Sequence, residues 1–319
     1  IVTDSDDMRS YEQIRSEIEL RKTLSRLEKI QNEPEESFEN ASRYTRDLKC
    51  VTWLGISRDI RMFEVGFRTT AHPTEVWDWI KPKYHNKDVI LPELGDKPVK
   101  YGYFAGRGLG CEQKLERWLE AGILPILNAR HWDDDVYYET KMFVTNEISP
   151  LSMEYIKGTH YLVADEYSYG SMLTEEQKRK KDAIHDKELE REEETVIYIK
   201  IDAVNTAEVP RYSWVRIPQP NIFVIPDMSD FKPEYDGIKG YGKFKEDRIY
   251  LIATLNGKPV PHQEMAVLLK PGERAEYIFK IPHRPISEAR AEELAKQDYY
   301  ERLKECISFW KDKLSDAVK

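Results

Sequence analysis

The chain has 319 residues, of which 40% are hydrophobic and 34% are charged, with a formal net charge of -9. This size and composition allow one large hydrophobic core or two moderate ones, and no apolar stretch is long enough to cross a bilayer. Because nucleic acids and anionic membranes attract basic surfaces, the negative charge excludes both from the expected partners, and no membrane insertion is predicted.

The N-terminal region, residues 1–46, is predicted to be an amphipathic helix followed by a linker. A capped start is expected at residues 5–7, and apolar residues then recur at helical spacing from Tyr11 to about Gln31. Residues 32–46 are polar and contain proline, which is typical of a connecting segment. The first residue is isoleucine rather than methionine, so the chain is expected to be mature or trimmed, with any signal peptide already removed.

The region 47–285 is predicted to consist of antiparallel strands. Apolar and polar residues alternate as in strands with one buried face, over 136–144, 197–203, 265–269 and 277–281. Asn256-Gly257 and Pro271-Gly272 are turn signals between such strands. Since no repeated helical pattern separates the strands, antiparallel sheets are favoured over βαβ units. The predicted fold is mainly β, a large antiparallel two-sheet β-sandwich.

Two further helical segments are predicted. Residues 174–194 are dense in charge, which indicates a solvated helix or mobile insertion in which no carboxylate would have a raised pKa. Ser287 is expected to cap a C-terminal linker helix that occupies residues 286–319. Its apolar face needs cover from the sandwich or from another domain, and the candidate interdomain contacts are Phe309, Trp310 and Leu314.

The motif-like segments do not meet the requirements of a catalytic or metal site. The glycine run 106–110 lacks the final glycine of a dinucleotide fingerprint, and residues 55–59 lack the final glycine of a nucleophile elbow. The aspartates 133–135 lack the spacing of a calcium loop, so a strand-entry turn is preferred. The histidines show no zinc pair, and the three cysteines are expected to be free, buried thiols. No cofactor or metal is predicted.

Aromatic residues beside polar ones suggest carbohydrate contacts. Residues 72–92 contain two tryptophans in a stretch with too many proline and polar residues for a regular strand. Aromatic faces stack on sugar rings while neighbouring charged groups bind the hydroxyls. The candidate contacts are Trp77, Trp79, Tyr84, Tyr103, Arg107, Trp132 and Asp133. The alternative is that these aromatics fill the edges of the sandwich or a seam between domains.

Several strand motifs also occur in a recognisable order. They are GILPI at 122–126, DVYYE at 135–139, VIYIKI at 196–201, LKPGE at 269–273 and IPHRP at 281–285, followed by Phe309-Trp310. As a set they resemble the N-terminal supersandwich, which is galactose-mutarotase-like in fold, of bacterial six-hairpin glycosidase-like proteins. The resemblance covers roughly residues 52–319.

This resemblance implies a noncatalytic N-terminal domain of a carbohydrate-active, glycoside-hydrolase-like protein. Such a domain scaffolds and rims a downstream (α/α) barrel that supplies the catalytic residues, so none can be assigned here. Carbohydrate and the barrel are the expected partners, and a periplasmic or extracellular location is expected. A stand-alone carbohydrate-binding module remains an alternative, and so does a mutarotase-like isomerase in which His131 or His160 would converge with Glu139.

Overall fold

The structure is a computed structural model that describes residues 7–22, 24–32, 50–56, 61–67, 78–84, 87–95, 97–108, 112–152, 173–190, 192–220, 233–245 and 247–315. The chain divides into two units, residues 1–41 and 42–319. The first unit contains two short helices, α1 (Tyr11–Leu20) and α2 (Arg26–Asn32). All strands belong to the second unit.

The N-terminal helix differs from its prediction in two ways. Its cap is Ser10 rather than residues 5–7. It also ends before a second capping box, in which Ser25 Oγ accepts from the Glu28 amide at 3.1 Å and the Glu28 carboxylate accepts from the Ser25 amide at 2.8 Å. Because the first residue of a capping box lies outside its helix, Ser25 divides the helix that periodicity alone predicts to be continuous.

The described part of the second unit forms sixteen strands, three α-helices and one short 3-10 helix, Pro92–Leu94. The strands are β1 (Thr52–Leu54), β2 (Met62–Gly66), β3 (Asp78–Tyr84), β4 (Lys87–Asp88), β5 (Tyr101–Ala105), β6 (Glu112–Glu120), β7 (Leu124–Asp133), β8 (Val136–Asn146), β9 (Thr195–Asn205), β10 (Arg211–Pro220), β11 (Glu234–Asp236), β12 (Tyr241–Phe244), β13 (Arg248–Leu255), β14 (Lys258–Pro259), β15 (Glu264–Leu269) and β16 (Arg274–Pro282). The helices are α3 (Glu175–Leu189), α4 (Glu288–Lys296) and α5 (Tyr299–Ser315).

These strands form two antiparallel sheets over one core. The seven-stranded sheet has the order β1-β2-β3-β5-β10-β15 with β4 beside β3, and the nine-stranded sheet has the order β11-β12-β13-β16-β9-β8-β7-β6 with β14 beside β13. Buried apolar side chains of both sheets belong to one cluster, which includes Ile80 and Ile217 from the first and Tyr138 and Ile199 from the second. The predicted two-sheet β-sandwich is therefore confirmed.

The predicted turns join the expected strands. Asn256 and Gly257 have φ angles of 49° and 75° and connect β13 to β14, with Thr254 paired to Pro259. Positive φ at both central residues is what a two-residue hairpin turn requires. Gly272, with φ of 73°, lies between β15 and β16.

Residues 78–84 form a strand, although the sequence predicts an irregular segment there. β3 lies between β2 and β5 in the sheet, and Pro82 pairs with Phe63 of β2. On the other side of β3, residues 78–80 pair with β5 and residues 83–84 pair with β4. Proline cannot donate to a ladder, and its position between these two partners makes it tolerable in an inner strand.

Two smaller predictions have mixed outcomes. The solvated helix predicted within 174–194 is α3, whose described side chains are mostly exposed. Cys306 is a free, buried thiol as expected, but Cys50, which precedes the short strand β1, is exposed. Cys111 lies outside the described residues. Within the described chain, no helix is long and apolar enough to span a membrane.

The C-terminal arm, defined as residues 287–315, folds back onto the nine-stranded sheet. Ser287 caps α4 as predicted. The helix does not continue to the end, because the Asp298 carboxylate accepts from the amides of Tyr300 and Glu301 at 2.8 and 2.9 Å and starts α5. Tyr299 and Cys306 are the buried residues of α5, and Tyr299 contacts Phe143 of β8 edge to face at 5.3 Å.

Candidate functional site

The turn between β7 and β8 brings two of the predicted carbohydrate contacts together, Arg107 and Asp133. Arg107 Nη2 lies 2.7 Å from Asp133 Oδ1, and the Arg107 amide donates to Asp133 Oδ2 at 2.7 Å. Asp134 also pairs with Arg107, and Asp135 pairs with Arg211 at 2.8 Å. Because these carboxylates already bind arginines, they hold two loops to the turn. No group of histidine, cysteine or carboxylate side chains among the described residues could hold a metal ion.

Three predicted contacts are buried. Tyr103 belongs to the core between the sheets, Trp79 is buried on the other face of β3 against Gly66 and Lys100, and Asp133 is covered by Arg107. Their side chains offer a ligand almost no surface, so direct carbohydrate contact by these three does not fit the structure. The cause for Trp79 is that β3 is an inner strand rather than a loop. Trp77 lies outside the described residues.

The remaining predicted aromatic residues are half-buried. The Tyr84 ring contacts His283 at 4.6 Å. Trp132 lies 4.9 Å from Tyr137 on the outer face of the nine-stranded sheet. On the same face, the guanidinium of Arg130 lies over the Trp118 ring at 5.2 Å. This face therefore combines aromatic rings with ion pairs, and Trp132 keeps part of its surface available.

The pair proposed for an isomerase does not converge. His131 is buried, stacks on Tyr138 at 5.0 Å and lies 3.1 Å through Nε2 from the Ala105 carbonyl oxygen. Glu139 follows Tyr138 in β8, so its side chain points to the opposite face, where it accepts from Tyr137 Oη at 3.2 Å. His160, the alternative partner, lies outside the described residues.

An arginine–glutamate cluster, formed by Arg61, Glu147, Glu194, Arg284 and Arg290, lies at one end of the sandwich. The antiparallel pairing of Asn146 with Thr195 places Glu147, which follows β8, beside Glu194, which precedes β9. The Glu147 amide donates to the Glu194 carbonyl oxygen at 2.9 Å, and the Glu194 amide returns a bond to Glu147 Oε2 at 3.0 Å.

The three arginines bind both carboxylates of this cluster. Arg284 Nη2 lies 2.7 Å from Glu194 Oε1, and Arg61 Nη1 lies 3.2 Å from Glu194 Oε2. Arg290 Nε donates to Glu147 Oε1 at 2.8 Å. Burial raises the pKa of Glu194, while Arg61 and Arg284 act in the opposite direction. The prediction of a fully solvated charged run is therefore wrong for Glu194, which belongs to the entry of β9.

His283 lies directly behind this cluster in a fully buried position. Its Nε2 is 2.9 Å from the Lys83 carbonyl oxygen, which fixes this nitrogen as the donor. Nδ1 has no hydrogen-bond partner among the described residues. Burial lowers the pKa of His283 to about 3, and the charges of Arg61 and Arg284 add to this effect. The imidazole is therefore neutral at physiological pH.

An open cleft of about 770 Å³ lies beside the cluster. Its cationic wall residues each have an acidic partner: Arg248 pairs with Glu93, Arg284 with Glu194 and Arg290 with Glu147. Both buried carboxylates of the cluster are bound by arginines, and this geometry favours a structural role for them. The cluster is therefore best explained as a lock that joins strand ends to α4.

The aromatic patch, defined as Tyr212, Trp214, Ala266 and Leu268, lies on the outer face of the seven-stranded sheet. Tyr212 pairs with Leu268 and Trp214 with Ala266 across β10 and β15. The relative exposures of Tyr212, Trp214 and Leu268 are 54%, 43% and 52%. This patch was not predicted from the sequence. Tyr212 and Trp214 nevertheless alternate along β10 with Ser213 and Val215, which are buried on the other face of the strand.

Comparisons with known proteins do not identify a family for this chain. No family model matches the chain, and no curated protein matches it. The relationship to six-hairpin glycosidase-like proteins, inferred from the strand motifs, stays a prediction.

Proposed function

We propose that this chain is a noncatalytic β-sandwich domain of a carbohydrate-active, glycoside-hydrolase-like protein, in which it scaffolds and rims a downstream (α/α) barrel. The observation that carries the proposal is the C-terminal arm, which is fixed to the sandwich and presents an apolar ridge at its end. The order of strand motifs, described above, points to the same architecture.

Both helices of the arm are anchored by buried polar contacts. Lys280 Nζ, in a buried position, donates to the carbonyl oxygens of Leu294 at 2.8 Å and Gln297 at 2.6 Å, which close the end of α4. Cations at a helix C-terminus are stabilising. In α5, Arg302 Nη2 donates to the carbonyl oxygens of Asn146 at 2.5 Å and Ser149 at 3.2 Å. The first turns of α5 therefore have a fixed direction on the sheet.

The later turns of α5 supply the ridge. Phe309, Trp310 and Leu314 pack against the edge of the sandwich core but stay only half-buried. The rings of Phe309 and Trp310 contact each other edge to face at 5.2 Å. A helix held rigidly at one end, with apolar surface left along the other, suits a joint to a second helical domain. These residues are therefore proposed to contact the barrel.

The test compares residues 1–319 with a longer protein that includes the coding sequence after Lys319. The proposal expects helical hairpins in the added sequence, glycoside hydrolysis by the longer protein only, and lower acrylamide quenching of Trp310 in the longer protein. A Trp310→Phe variant identifies that tryptophan signal, and the exposed Trp53 serves as the unaffected control. Hydrolysis by residues 1–319 alone, or the absence of helical hairpins, would contradict the proposal.

A stand-alone carbohydrate-binding module is the second candidate. The observation that favours it is the aromatic patch, because exposed aromatic faces can stack on the apolar faces of sugar rings. The two candidates differ in what they require. A stand-alone module binds glycan without a further domain, whereas a scaffold acts together with the downstream barrel. Both are compatible with a noncatalytic chain.

A further inference from the structure

We propose that the aromatic patch is a binding platform for an extended, neutral oligosaccharide, with Tyr212 and Trp214 as the stacking rings. The inference rests on the carbohydrate-related function proposed above and assigns a site and a ligand class to it. None of the seven contacts predicted from the sequence belongs to this patch.

The exposure of the patch is the first argument. Single exposed apolar residues are normal on a protein surface, whereas contiguous ones mark a binding surface. Here Tyr212, Trp214 and Leu268 are adjacent and each is at least 43% exposed. β15 is also the last strand of its sheet, where charged side chains commonly protect the edge. The outward positions of Leu268 and Ala266 depart from that pattern.

The backbone holds the tryptophan in a fixed position. The Trp214 amide donates to Tyr138 Oη at 2.9 Å, and the Trp214 carbonyl oxygen accepts from the Gly106 amide at 2.8 Å. Its strand neighbours Ser213 and Val215 are buried. Both contacts use main-chain atoms of Trp214, so they order its backbone and leave the residue 43% exposed. A backbone that is already ordered loses little freedom on binding, which favours affinity.

The ring geometry fits a chain of sugars rather than a single one. Tyr212 and Trp214 are two positions apart on one strand, and their ring centroids are 6.4 Å apart with a tilt of 49°. Neighbouring rings at this spacing can each stack on a successive sugar of a chain that runs along β10.

The charges around the patch select a neutral ligand. Arg211 pairs with Asp135 at one end of the strand, and Arg216 pairs with Glu264 at 3.2 Å further along it. Each pair is balanced, so neither pair offers excess charge to an anionic polymer. The partly exposed groups of both pairs can still exchange hydrogen bonds with sugar hydroxyls. A second protein copy would instead require a broader apolar surface than two rings flanked by ion pairs.

Binding is tested on residues 1–319 by calorimetry and tryptophan fluorescence with cellohexaose, xylohexaose and mannohexaose as probes. We expect saturable binding of at least one probe, and roughly tenfold weaker binding in Trp214→Ala and Tyr212→Ala, because each loses one stacked ring. Tyr212→Phe retains its ring and should retain binding. Trp53→Ala is the matched control, since Trp53 is 47% exposed on the opposite edge strand of the same sheet.

Three results would overturn the platform: no saturable binding of any probe, equal binding by Trp214→Ala, or self-association that Trp214→Ala abolishes. The last would identify a second copy as the occupant. Thermal unfolding of each variant checks that it folds. The result of this binding test can be distinguished from the result of the test of the scaffold function. Hydrolysis by the longer protein without binding here rejects the platform only, whereas binding here without a downstream barrel rejects the scaffold only.

Discussion

Replacing Glu194 with alanine is expected to lower the free energy of unfolding by about 3–5 kcal/mol, because it leaves a buried arginine without its carboxylate. Arg61 is 1% exposed, and its Nη1 lies 3.2 Å from Glu194 Oε2. Arg284 loses the same partner at the rim of the cluster. Urea unfolding followed by circular dichroism measures the change.

The matched control is Glu116→Ala, which removes an ion pair with Arg130 on the open face of the nine-stranded sheet. Both side chains of that pair are more than 40% exposed, so the expected loss is within about 1 kcal/mol. Substituting both buried partners, Arg61→Met with Glu194→Leu, should recover much of the stability, because the only charge left without its partner is that of Arg284, whose side chain is 34% exposed to water. A Glu194→Ala loss no larger than the Glu116→Ala loss would show that the cluster is not a lock.

Acidification is expected to destabilise the protein through His283. Its pKa is about 3 in the folded chain, against an ordinary value of 6.5, because the ring is buried near Arg61 and Arg284. Between these values the unfolded chain binds the proton and the folded chain does not. The free energy of unfolding therefore falls as the pH falls from about 6.5 toward 3, by up to about 1.4 kcal/mol per pH unit from this group.

The measurement is the unfolding free energy of the protein and of His283→Gln between pH 7.5 and pH 4.5. Glutamine can still donate to the Lys83 carbonyl oxygen but does not titrate. Carboxylates change both proteins alike, so the difference between them isolates the histidine. We expect the protein to lose roughly 2.7 kcal/mol more than the variant. Parallel pH profiles would mean that His283 can be protonated within the folded chain.

Local periodicity predicted several of the strands, among them β8, β9, β15 and β16, whose apolar and polar residues alternate along the sequence. β9 departs from the expected one-sided burial, because nearly all of its residues are buried. Periodicity failed at β3, where Pro82 suggests a loop and only the pairing of neighbouring strands explains why it is tolerated. It also joined helices that Ser25 and Asp298 divide through short-range caps.

The arginine–glutamate cluster could not have been predicted in this way. Arg61, Glu147, Glu194 and Arg284 come from four separate parts of the chain, and only the register between β8 and β9 brings the glutamates together. The aromatic patch is different. Its two rings share one strand, so the alternation of residues 211–216 contained the necessary information. The sequence alone does not show that the face of β10 with Tyr212 and Trp214 is exposed to solvent.

Hydrogen exchange of the α5 amides tests the central claim most directly, namely that the C-terminal arm is part of the sandwich body. We predict that the amides of residues 303–311 exchange about as slowly as those of β8 and β9, to which the arm is anchored. The solvated helix α3 provides the fast internal reference. Exchange in α5 as fast as in α3 would contradict the claim, because a loosely attached arm could not fix the position of a following domain.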